Sequence, residues 1–531
     1  MAADPPSFLD RRRVLAMAGA IAGGLWLPDS ARAQPRFASD PFELGVASGS
    51  PRHDSVVLWT RVVQAQAADS AAWGARPVAV RWEVAHDEGF QRMVQTGSVN
   101  AAPELAHSVH VEVQGLEPDR WYFYRFQVGT AVSATGRTRT FPLAGAVAQK
   151  LRLAYASCQH WEHGFYSAYR HMCAENLDAV VFLGDYIYEY GGSAKGVRRA
   201  PTGAVITLDD YRARYALYKS DGDLQAMHAA CPWIMTWDDH EVQNDYAAGA
   251  QGTFGPEVPD FAARRLAAYQ AYYEHMPLRA SVLQKALAGV MRPGSELRLY
   301  DRVAFGRLAV LHTVDDRQYR DRQACTKGGA FGSSGVNPAA CASWNDPTRS
   351  ILGKEQEGWL DQSLAAGGGT WSVIAQQTVF GQRDFKLGDG LVLHNDGWDG
   401  YAPARARLTQ ALQRHKVSNP VFLGGDVHSN WVGHVKADYA RPDSKAMGVE
   451  FCGTSITSRG GDNKGLVEVL AENPHFVMAD RERRGYGVAE FTPQQLSVSL
   501  RVVDDATRLD SGVSTLATFV VEQGQAKVNS A

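Results

Sequence analysis

Four of the apolar, strand-like runs from Leu151 onward end in side chains that can bind a metal ion, and this feature limits the possible folds. The runs alternate with helix-like segments, which is typical of an α/β domain with parallel strands. The run at residues 178–183 is almost entirely apolar, as expected of a strand that is buried on both faces. Because ligands bind at the carboxyl ends of such strands, we expect a site at that edge of the sheet.

Four strand ends carry chemically similar residues. They are Ser157-Cys158, Gly184-Asp185 with Tyr188, Asp238-Asp239-His240-Glu241, and Asp426 with His428. A single aspartate after a strand is most often a turn or capping residue, but four such ends in one domain favour a metal site. Carboxylates and a phenolate are hard donors, imidazole is borderline and a thiolate is soft. Because no CxxC or HxxxH spacing is present, the set predicts a multinuclear hydrolytic centre rather than a structural zinc site.

Residues 40–143 show a different pattern, with short alternating strands separated by glycine and proline turns. This pattern predicts an all-β sandwich of the fibronectin or immunoglobulin type. His107 and His110 are expected to pack or to lie on its surface rather than to bind a metal. A linker at residues 143–148 leads into a larger α/β domain, which we place at residues 150–531.

The N-terminus has the pattern of an export signal at residues 1–33. An arginine run at residues 11–13 precedes an apolar stretch that ends near Leu27, and residues 31–33 (Ala-Arg-Ala) form a small-residue cleavage site. The paired arginines indicate the twin-arginine pathway; an ordinary secretory signal is the alternative. We therefore expect a mature chain that begins near Gln34, is periplasmic or extracellular, and uses the twin-arginine export machinery as a partner.

Composition excludes several classes of protein. With 54 Lys+Arg against 57 Asp+Glu, the chain of 531 residues lacks the basic excess of a general nucleic-acid binder. No internal apolar run is long enough to span a membrane, and no Gly-x-Ser-x-Gly elbow, Walker A loop or GxGxxG motif is present. Six cysteines are too few for a disulfide scaffold. Cys325 and Cys341 flank a small-residue loop and are expected to form a disulfide, whereas pairing of Cys231 with Cys452 stays open.

Further sequence blocks carry a resemblance to known proteins. They are Phe42-x-x-Gly45-Val46-Ala47-Ser48-Gly49-x-Pro51, Leu58-Trp59-Thr60-Arg61, Ala156-Ser157-Cys158-Gln159 and Trp398-Asp399-Gly400-Tyr401. Together with Gly184-Asp185-x-x-Tyr188 and residues 237–241 and 425–429, they make the chain resemble the PhoD-like alkaline phosphatases. This family is a branch of the calcineurin-like metallophosphatases and is related to the purple acid phosphatases. The resemblance spans about residues 40–520 and implies a four-layer αββα sandwich behind the N-terminal β-sandwich.

The resemblance also implies a set of metal ligands and an activity. The implied ligands are Cys158, Asp185, Tyr188, Asp239, Asn244, Asp426 and His428. Asp185 would bridge the metals, while Cys158 and Tyr188 would bind Fe3+, which keeps that thiol out of any disulfide. The other ligands would complete the iron site and one or two adjoining Ca2+ sites. The implied reaction is hydrolysis of phosphomonoesters, phosphodiesters or both by a metal-activated hydroxide.

Two further residues are expected to contact a small phosphate-ester substrate. His240 would lie beside the metals and touch the phosphate or the leaving group. Arg317 would hold phosphate oxygens with two parallel hydrogen bonds, although Asp316 stands where the family more often has threonine.

Three alternatives remain open at the level of sequence. The first is a phosphodiesterase that acts on lipid substrates in the manner of phospholipase D. The second is a conventional hydrolase with two Zn2+ ions in place of iron and calcium. The third is a noncatalytic, calcium-stabilised binding protein that uses its β-sandwich for adhesion.

Overall fold

The computed structural model describes residue 37 and the ranges 39–63, 76–201, 203–253, 257–283, 296–326, 331–441 and 443–531. The predicted export signal at residues 1–33 lies outside the described residues. Within the ranges just given, no helix is both long enough and apolar enough to cross a membrane.

The N-terminal region is built from β-strands, as predicted. They are β1 (Val46–Gly49), β2 (Val56–Arg61), β3 (Val78–Ala85), β4 (Met93–Ala101), β5 (Ser108–Val113), β6 (Trp121–Val128), β7 (Ala131–Val132) and β8 (Gly136–Arg139). In β6, buried and half-buried side chains alternate along the whole strand, because one face packs on a core and the other lies near solvent. His107 and His110 pack here, and His110 stacks on Tyr273 at 4.4 Å between ring centroids.

The rest of the chain mixes strands and helices, which confirms the predicted α/β class. Its strands are β9 (Leu151–Ala156), β10 (Ala179–Phe182), β11 (Trp233–Met235), β12 (Asp301–Phe305), β13 (Ala309–Thr313), β14 (Gly335–Val336), β15 (Trp371–Ala375), β16 (Leu393–His394), β17 (Pro420–Gly424), β18 (Asn430–Lys436), β19 (Ala446–Cys452), β20 (Phe476–Asp480), β21 (Arg484–Phe491), β22 (Gln495–Val503), β23 (Val513–Glu522) and β24 (Asn529–Ser530). Its helices are α1 (Ser167–Met172), α2 (Leu208–Lys219), α3 (Gly222–Ala230), α4 (Phe261–His275), α5 (Gly353–Ala366), α6 (Ala402–Arg414) and α7 (Leu466–Glu472). A capping box formed by Thr207 and Asp210 fixes the start of α2.

Two large sheets dominate this architecture. One has ten strands in the order β24-β23-β22-β21-β9-β10-β11-β1-β2-β5, and the other has seven in the order β12-β13-β15-β17-β19-β18-β20. The N-terminal strands β1, β2 and β5 thus continue the larger sheet, because Gly49 of β1 pairs in parallel with Trp233 of β11. The predicted linker at residues 143–148 therefore separates segments of the chain but does not separate their sheets.

The main core lies between the two large sheets. Leu153 and Val181 of the ten-stranded sheet share one apolar cluster with Leu311 and Val373 of the seven-stranded sheet. The opposite face of the larger sheet packs against aromatic side chains of α1, α2 and α4. Helices α5 and α6 pack on the far side of the smaller sheet. This arrangement brings the carboxyl ends of β9, β10, β11 and β17 toward a common region.

The cysteines behave as predicted. Cys325 and Cys341 form a disulfide with their Cα atoms 5.9 Å apart. Cys158, Cys231 and Cys452 are free and buried, so the pairing of Cys231 with Cys452 that the sequence left open does not occur.

Removing this disulfide is expected to destabilise the protein. Because it closes a loop with a sequence separation of 16 residues, we expect the double variant Cys325→Ser/Cys341→Ser to lose about 3 kcal/mol of unfolding free energy. Urea unfolding of the variant and the oxidised parent provides the measurement. An unchanged transition midpoint would contradict the expectation.

Lys219, at the end of α2, is buried where this helix meets β2. Its ammonium nitrogen lies 4.2 Å from the centre of the Trp59 ring and 5.4 Å from that of Tyr186. Burial lowers the pKa of Lys219 from 10.5 to about 7. The unfolded chain keeps the higher pKa, so stability falls as pH drops from 10.5 to about 7, by about 1.4 kcal/mol per pH unit. Below that range there is no further loss from this group.

We therefore expect Lys219→Met to raise the melting temperature at neutral pH. The gain over the parent protein should be largest at and below the folded-state pKa, and it should vanish as pH approaches the ordinary lysine pKa. Thermal unfolding across that pH range measures the gap. A gap that does not change with pH would show that the lysine charge is not its cause.

Candidate metal centre

The turns at the strand ends have an unusual backbone conformation. The φ angles are 60°, 57°, 66° and 52° for Cys158, Asp185, Asp426 and His428. Residues other than glycine rarely adopt positive φ, and such strained residues cluster at functional sites. Gly184, with a φ of 109°, precedes one of them, and a Cβ atom there would lie 2.4 Å from the backbone nitrogen of Asp238. Only glycine therefore lets these turns approach so closely.

The first group of ligand-type atoms belongs to Cys158, Asp185 and His428, and these atoms lie within 4.8 Å of one another. The hydroxyl of Tyr188 joins them, with Oη 2.9 Å from Asp185 Oδ2 and 3.1 Å from His428 Nε2. The Ser458 hydroxyl donates to the same phenol oxygen at 2.6 Å. The structure thus brings together four residues that the sequence predicted as ligands.

Electrostatics in this group disfavour the ionised ligands unless a cation is bound. Burial raises the pKa of both Cys158 and Tyr188, and the neighbouring carboxylate of Asp185 raises both further. A metal ion reverses this balance, because it deprotonates the groups that coordinate it. Thiolate, phenolate, carboxylate and imidazole together suit a transition metal.

The second group consists of Asp185, Asp239 and His240, so Asp185 is shared by two groups. His240 Nδ1 lies 2.6 Å from Glu189 Oε2, and the other oxygen of this carboxylate accepts the backbone N–H of Asn244 at 2.8 Å. Burial alone would lower the pKa of His240. The carboxylates of Glu189, Asp185 and Asp239 outweigh it and raise that pKa well above its ordinary value. The Glu189 carboxylate thus holds Nδ1 of His240 in place, and the predicted contact of this ring with a substrate stays a prediction.

The third group consists of Asp239, Asp245 and Asp396, of which the sequence predicted only Asp239. The backbone N–H of Asp245 donates to Asp239 Oδ2 at 2.7 Å, which fixes the two carboxylates relative to each other. Asn244, a predicted ligand, lies in the same turn, and its amide nitrogen donates to Thr253 Oγ1 at 2.6 Å. The side-chain oxygen of Asn244 is therefore its ligand-type atom.

Arg317 lies inside the acidic cluster and is only 1% exposed. Its guanidinium lies within 4.0 Å of five carboxylates, those of Asp238, Asp239, Asp316, Asp396 and Asp426. Nε donates to Asp238, and Nη1 lies 2.5 Å from Asp396 Oδ2. Nη2 has no hydrogen-bond partner among the described residues. The predicted phosphate clamp stays a prediction, and Nη2 is the nitrogen that remains for it.

Several buried carboxylate oxygens lack a hydrogen-bond partner within the described part of the chain. They are Asp238 Oδ2, Asp239 Oδ1 and both oxygens of Asp316. A buried charged oxygen without a hydrogen-bond partner costs folding free energy. A bound cation would remove this cost for the carboxylate oxygens that coordinate it. The three donor groups and these oxygens therefore fit a multinuclear metal centre.

Sequence reasoning missed three residues of this site, and each lay beside a residue that it did single out. Glu189 directly follows Tyr188, Asp245 directly follows Asn244, and Asp396 precedes the block that begins at Trp398 by two positions. Asp426, which was predicted, falls outside the three groups and faces Arg317 at 3.6 Å.

The chain is similar to known proteins over most of its length. The family model of the PhoD-like phosphatases matches residues 153–500, and that of their N-terminal domain matches residues 29–142. Alkaline phosphatase D of Bacillus subtilis (strain 168) is 44% identical over 535 aligned residues, which cover 97% of this chain and 88% of that protein. The solved structure of PhoD matches with a TM-score of 0.85 at 43% identity and 93% coverage of each chain. These matches confirm the resemblance, and the chain belongs to the PhoD-like phosphatase family of metal-dependent phosphoesterases.

Proposed function

We propose that this phosphoesterase hydrolyses small phosphomonoesters, phosphodiesters or both at a centre of one Fe3+ and one or two Ca2+ ions. The observation that carries the proposal is the chain of three donor groups, linked through Asp185 and Asp239. The group with thiol, phenol and imidazole suits iron, and the carboxylate-only group suits calcium, which takes several oxygen ligands. Sharing of Asp185 and Asp239 would place the ions side by side.

In this proposal the predicted ligands keep their roles. Cys158, Asp185, Tyr188 and His428 hold the iron, and Asp239, Asn244 and Asp426 complete the adjoining sites; the structure adds Asp245 and Asp396 as candidates. When bound, the metals supply the nucleophile and offset the charge of the phosphoryl oxygens.

His240 is the proposed proton donor. The Glu189 carboxylate, 2.6 Å from Nδ1, favours the protonated ring, which can protonate the leaving oxygen of the ester. Glu189 fixes the ring by accepting from Nδ1. Nη2 of Arg317, its one nitrogen without a hydrogen-bond partner among the described residues, would contact a phosphate oxygen by a single bond rather than by the expected pair.

The remaining expectations belong to the same proposal. We infer that the twin-arginine pathway exports the protein to a periplasmic or extracellular location. We also infer that the chain is divided into an N-terminal module at residues 40–143 and a catalytic domain at residues 150–531. The separate family matches to residues 29–142 and 153–500 support this division. Packing of α1, α2 and α4 on one outer face and of α5 and α6 on the other supports a four-layer order.

Hydrolysis of nitrophenyl phosphate and bis(nitrophenyl) phosphate at alkaline pH tests the proposal, with metal analysis of the same sample. We expect nitrophenol to be released from at least one ester and this activity to be lost when the metals are chelated. We expect metal analysis to find iron and calcium in the protein. The ratio of the two rates decides between monoesterase and diesterase. A phospholipid substrate run in parallel tests the lipid phosphodiesterase. Two zinc ions, or no release from any ester by the metal-loaded protein, would contradict the proposal.

A further inference from the structure

Arg459 lies directly beside the first ligand group. It follows Ser458, whose hydroxyl donates to Tyr188. Its backbone N–H donates to His163 Nδ1 at 3.3 Å, and its carbonyl oxygen accepts from His428 Nδ1 at 3.1 Å. Two imidazoles thus fix the main chain of an exposed arginine at the edge of the metal centre.

The guanidinium of Arg459 is not neutralised by the protein. Its Nη2 donates to the backbone carbonyl of Lys195 at 3.1 Å, a neutral acceptor. Among the described residues, no acidic side chain forms an ion pair with Arg459, Lys195 or Arg199, and all three are exposed. We call these three residues the cationic rim.

Two neighbouring arginines, unlike the cationic rim, have acidic partners. Arg198 pairs with Asp221 at 2.6 Å, and Arg481 pairs with Asp462 at 3.7 Å. Arg317, deeper in the site, is surrounded by carboxylates. The rim is therefore exposed positive charge beside the first ligand group with which an external anion can pair.

The loop that carries Lys195 and Arg199 is anchored to the helical turn that follows β9. Buried Glu162 accepts the backbone N–H groups of Gly192 and Ala200 at 3.0 and 3.2 Å, and it lies four residues after the predicted ligand Cys158. Trp161 Nε1 also donates to the carbonyl oxygen of Arg199 at 3.3 Å. The main chain of the rim is thus held in place before any ligand arrives, which lowers the entropic cost of binding.

We propose that the cationic rim is a binding subsite for a second anionic group of the substrate, carried on the alcohol portion of the ester beyond the phosphate that is cleaved. Guanidinium groups bind carboxylate and phosphate with paired hydrogen bonds, and unpaired cations at a cleft raise the local concentration of anions. The preferred substrates are therefore esters with two or more anionic groups. This inference rests on the metal centre lying where the proposed function puts it.

A matched pair of chromogenic esters tests the rim. Nitrophenyl phosphate and the same ester with a ring carboxylate differ by one negative charge remote from the cleaved bond. We expect Arg459→Gln to lower the ratio of kcat/KM for the carboxylated ester to that for the plain ester by about tenfold, through KM. Lys195→Gln should lower the same ratio by a smaller factor. Added salt should reduce the preference of the parent enzyme, because exposed charges are screened.

Arg508→Gln is the matched control, since Arg508 is an exposed arginine paired with Asp510 at 3.2 Å. This control should leave the ratio unchanged. If Arg459→Gln lowers kcat/KM equally for both esters, or changes it for neither, the proposed subsite is refuted. If Arg459→Gln loses bound metal, Lys195→Gln decides, because the hydrogen bonds of Lys195 to Ser193 and Arg459 are made by its main chain and survive the substitution. An unchanged ratio in Lys195→Gln then refutes the rim. A parent enzyme that cleaves neither ester would instead refute the proposed function.

Discussion

Asp185→Asn is expected to lower kcat/KM for phosphate esters by about a thousandfold. Its two carboxylate oxygens face different parts of the site, with Oδ2 2.9 Å from Tyr188 Oη and Oδ1 3.4 Å from the backbone nitrogen of His240. Asparagine keeps the shape of the side chain but removes the charge and one of the two acceptor oxygens. Both donor groups that share this residue should therefore lose affinity for metal. Ester hydrolysis and metal content of the purified variant give the two readouts.

The control is Asp209→Asn, the same substitution on a side chain that is 91% exposed. It should retain the activity and metal content of the parent protein. Thermal unfolding of metal-free samples checks that Asp185→Asn still folds. A folded Asp185→Asn variant that keeps full metal content and most of its activity would show that this carboxylate does not join the metal sites.

Glu189→Gln is expected to lower kcat by about a hundredfold with little change in KM. Glu189 is 1% exposed and accepts two N–H groups, one from His240 and one from Asn244. The two N–H groups meet different oxygens, and glutamine replaces one of these with an NH2 donor, so it cannot accept both. It also removes the charge that contributes most to raising the pKa of His240. In the proposed reaction, the variant therefore orients the His240 ring less well and favours its protonated form less when the leaving oxygen takes up a proton.

A double-mutant cycle separates this role from a general loss of structure. If Glu189 acts through His240, then His240→Asn/Glu189→Gln should be no slower than His240→Asn alone. Steady-state kinetics of the three variants and the parent give the coupling. If the loss of rate in the double variant equals the product of the losses in the two single variants, Glu189 acts independently of His240.

Local sequence patterns predicted the parts of the fold that depend on local physics. The strand Leu151–Ala156 begins where the strand-like runs were predicted to begin, because its apolar side chains are a local signal for a buried strand. The side chains after β9, β10, β11 and β17 were identified because each follows a strongly apolar run. The positive φ angles at Cys158 and Asp185 then account for how these side chains reach a common centre.

Other features depend on distant contacts and were not predicted. The pairing of Gly49 with Trp233 joins segments that are far apart in sequence, and no local pattern encodes such a partner. Asp245 and Asp396 lie in loops rather than after strongly apolar runs, so the strand-end rule did not identify them. The position of Arg317 inside the acidic cluster depends on the fold, since its five acidic neighbours come from four loops, one of which carries Arg317 itself.

Anomalous diffraction from crystals of the active enzyme, recorded on both sides of the iron edge, tests the central claim most directly. We predict an iron peak among Cys158, Asp185, Tyr188 and His428, and at least one lighter-metal peak beside Asp239, where Asp245 and Asp396 converge. Peaks that lie elsewhere in an enzyme that still hydrolyses phosphate esters would contradict the account. An active enzyme with no anomalous peak at these residues would contradict it equally.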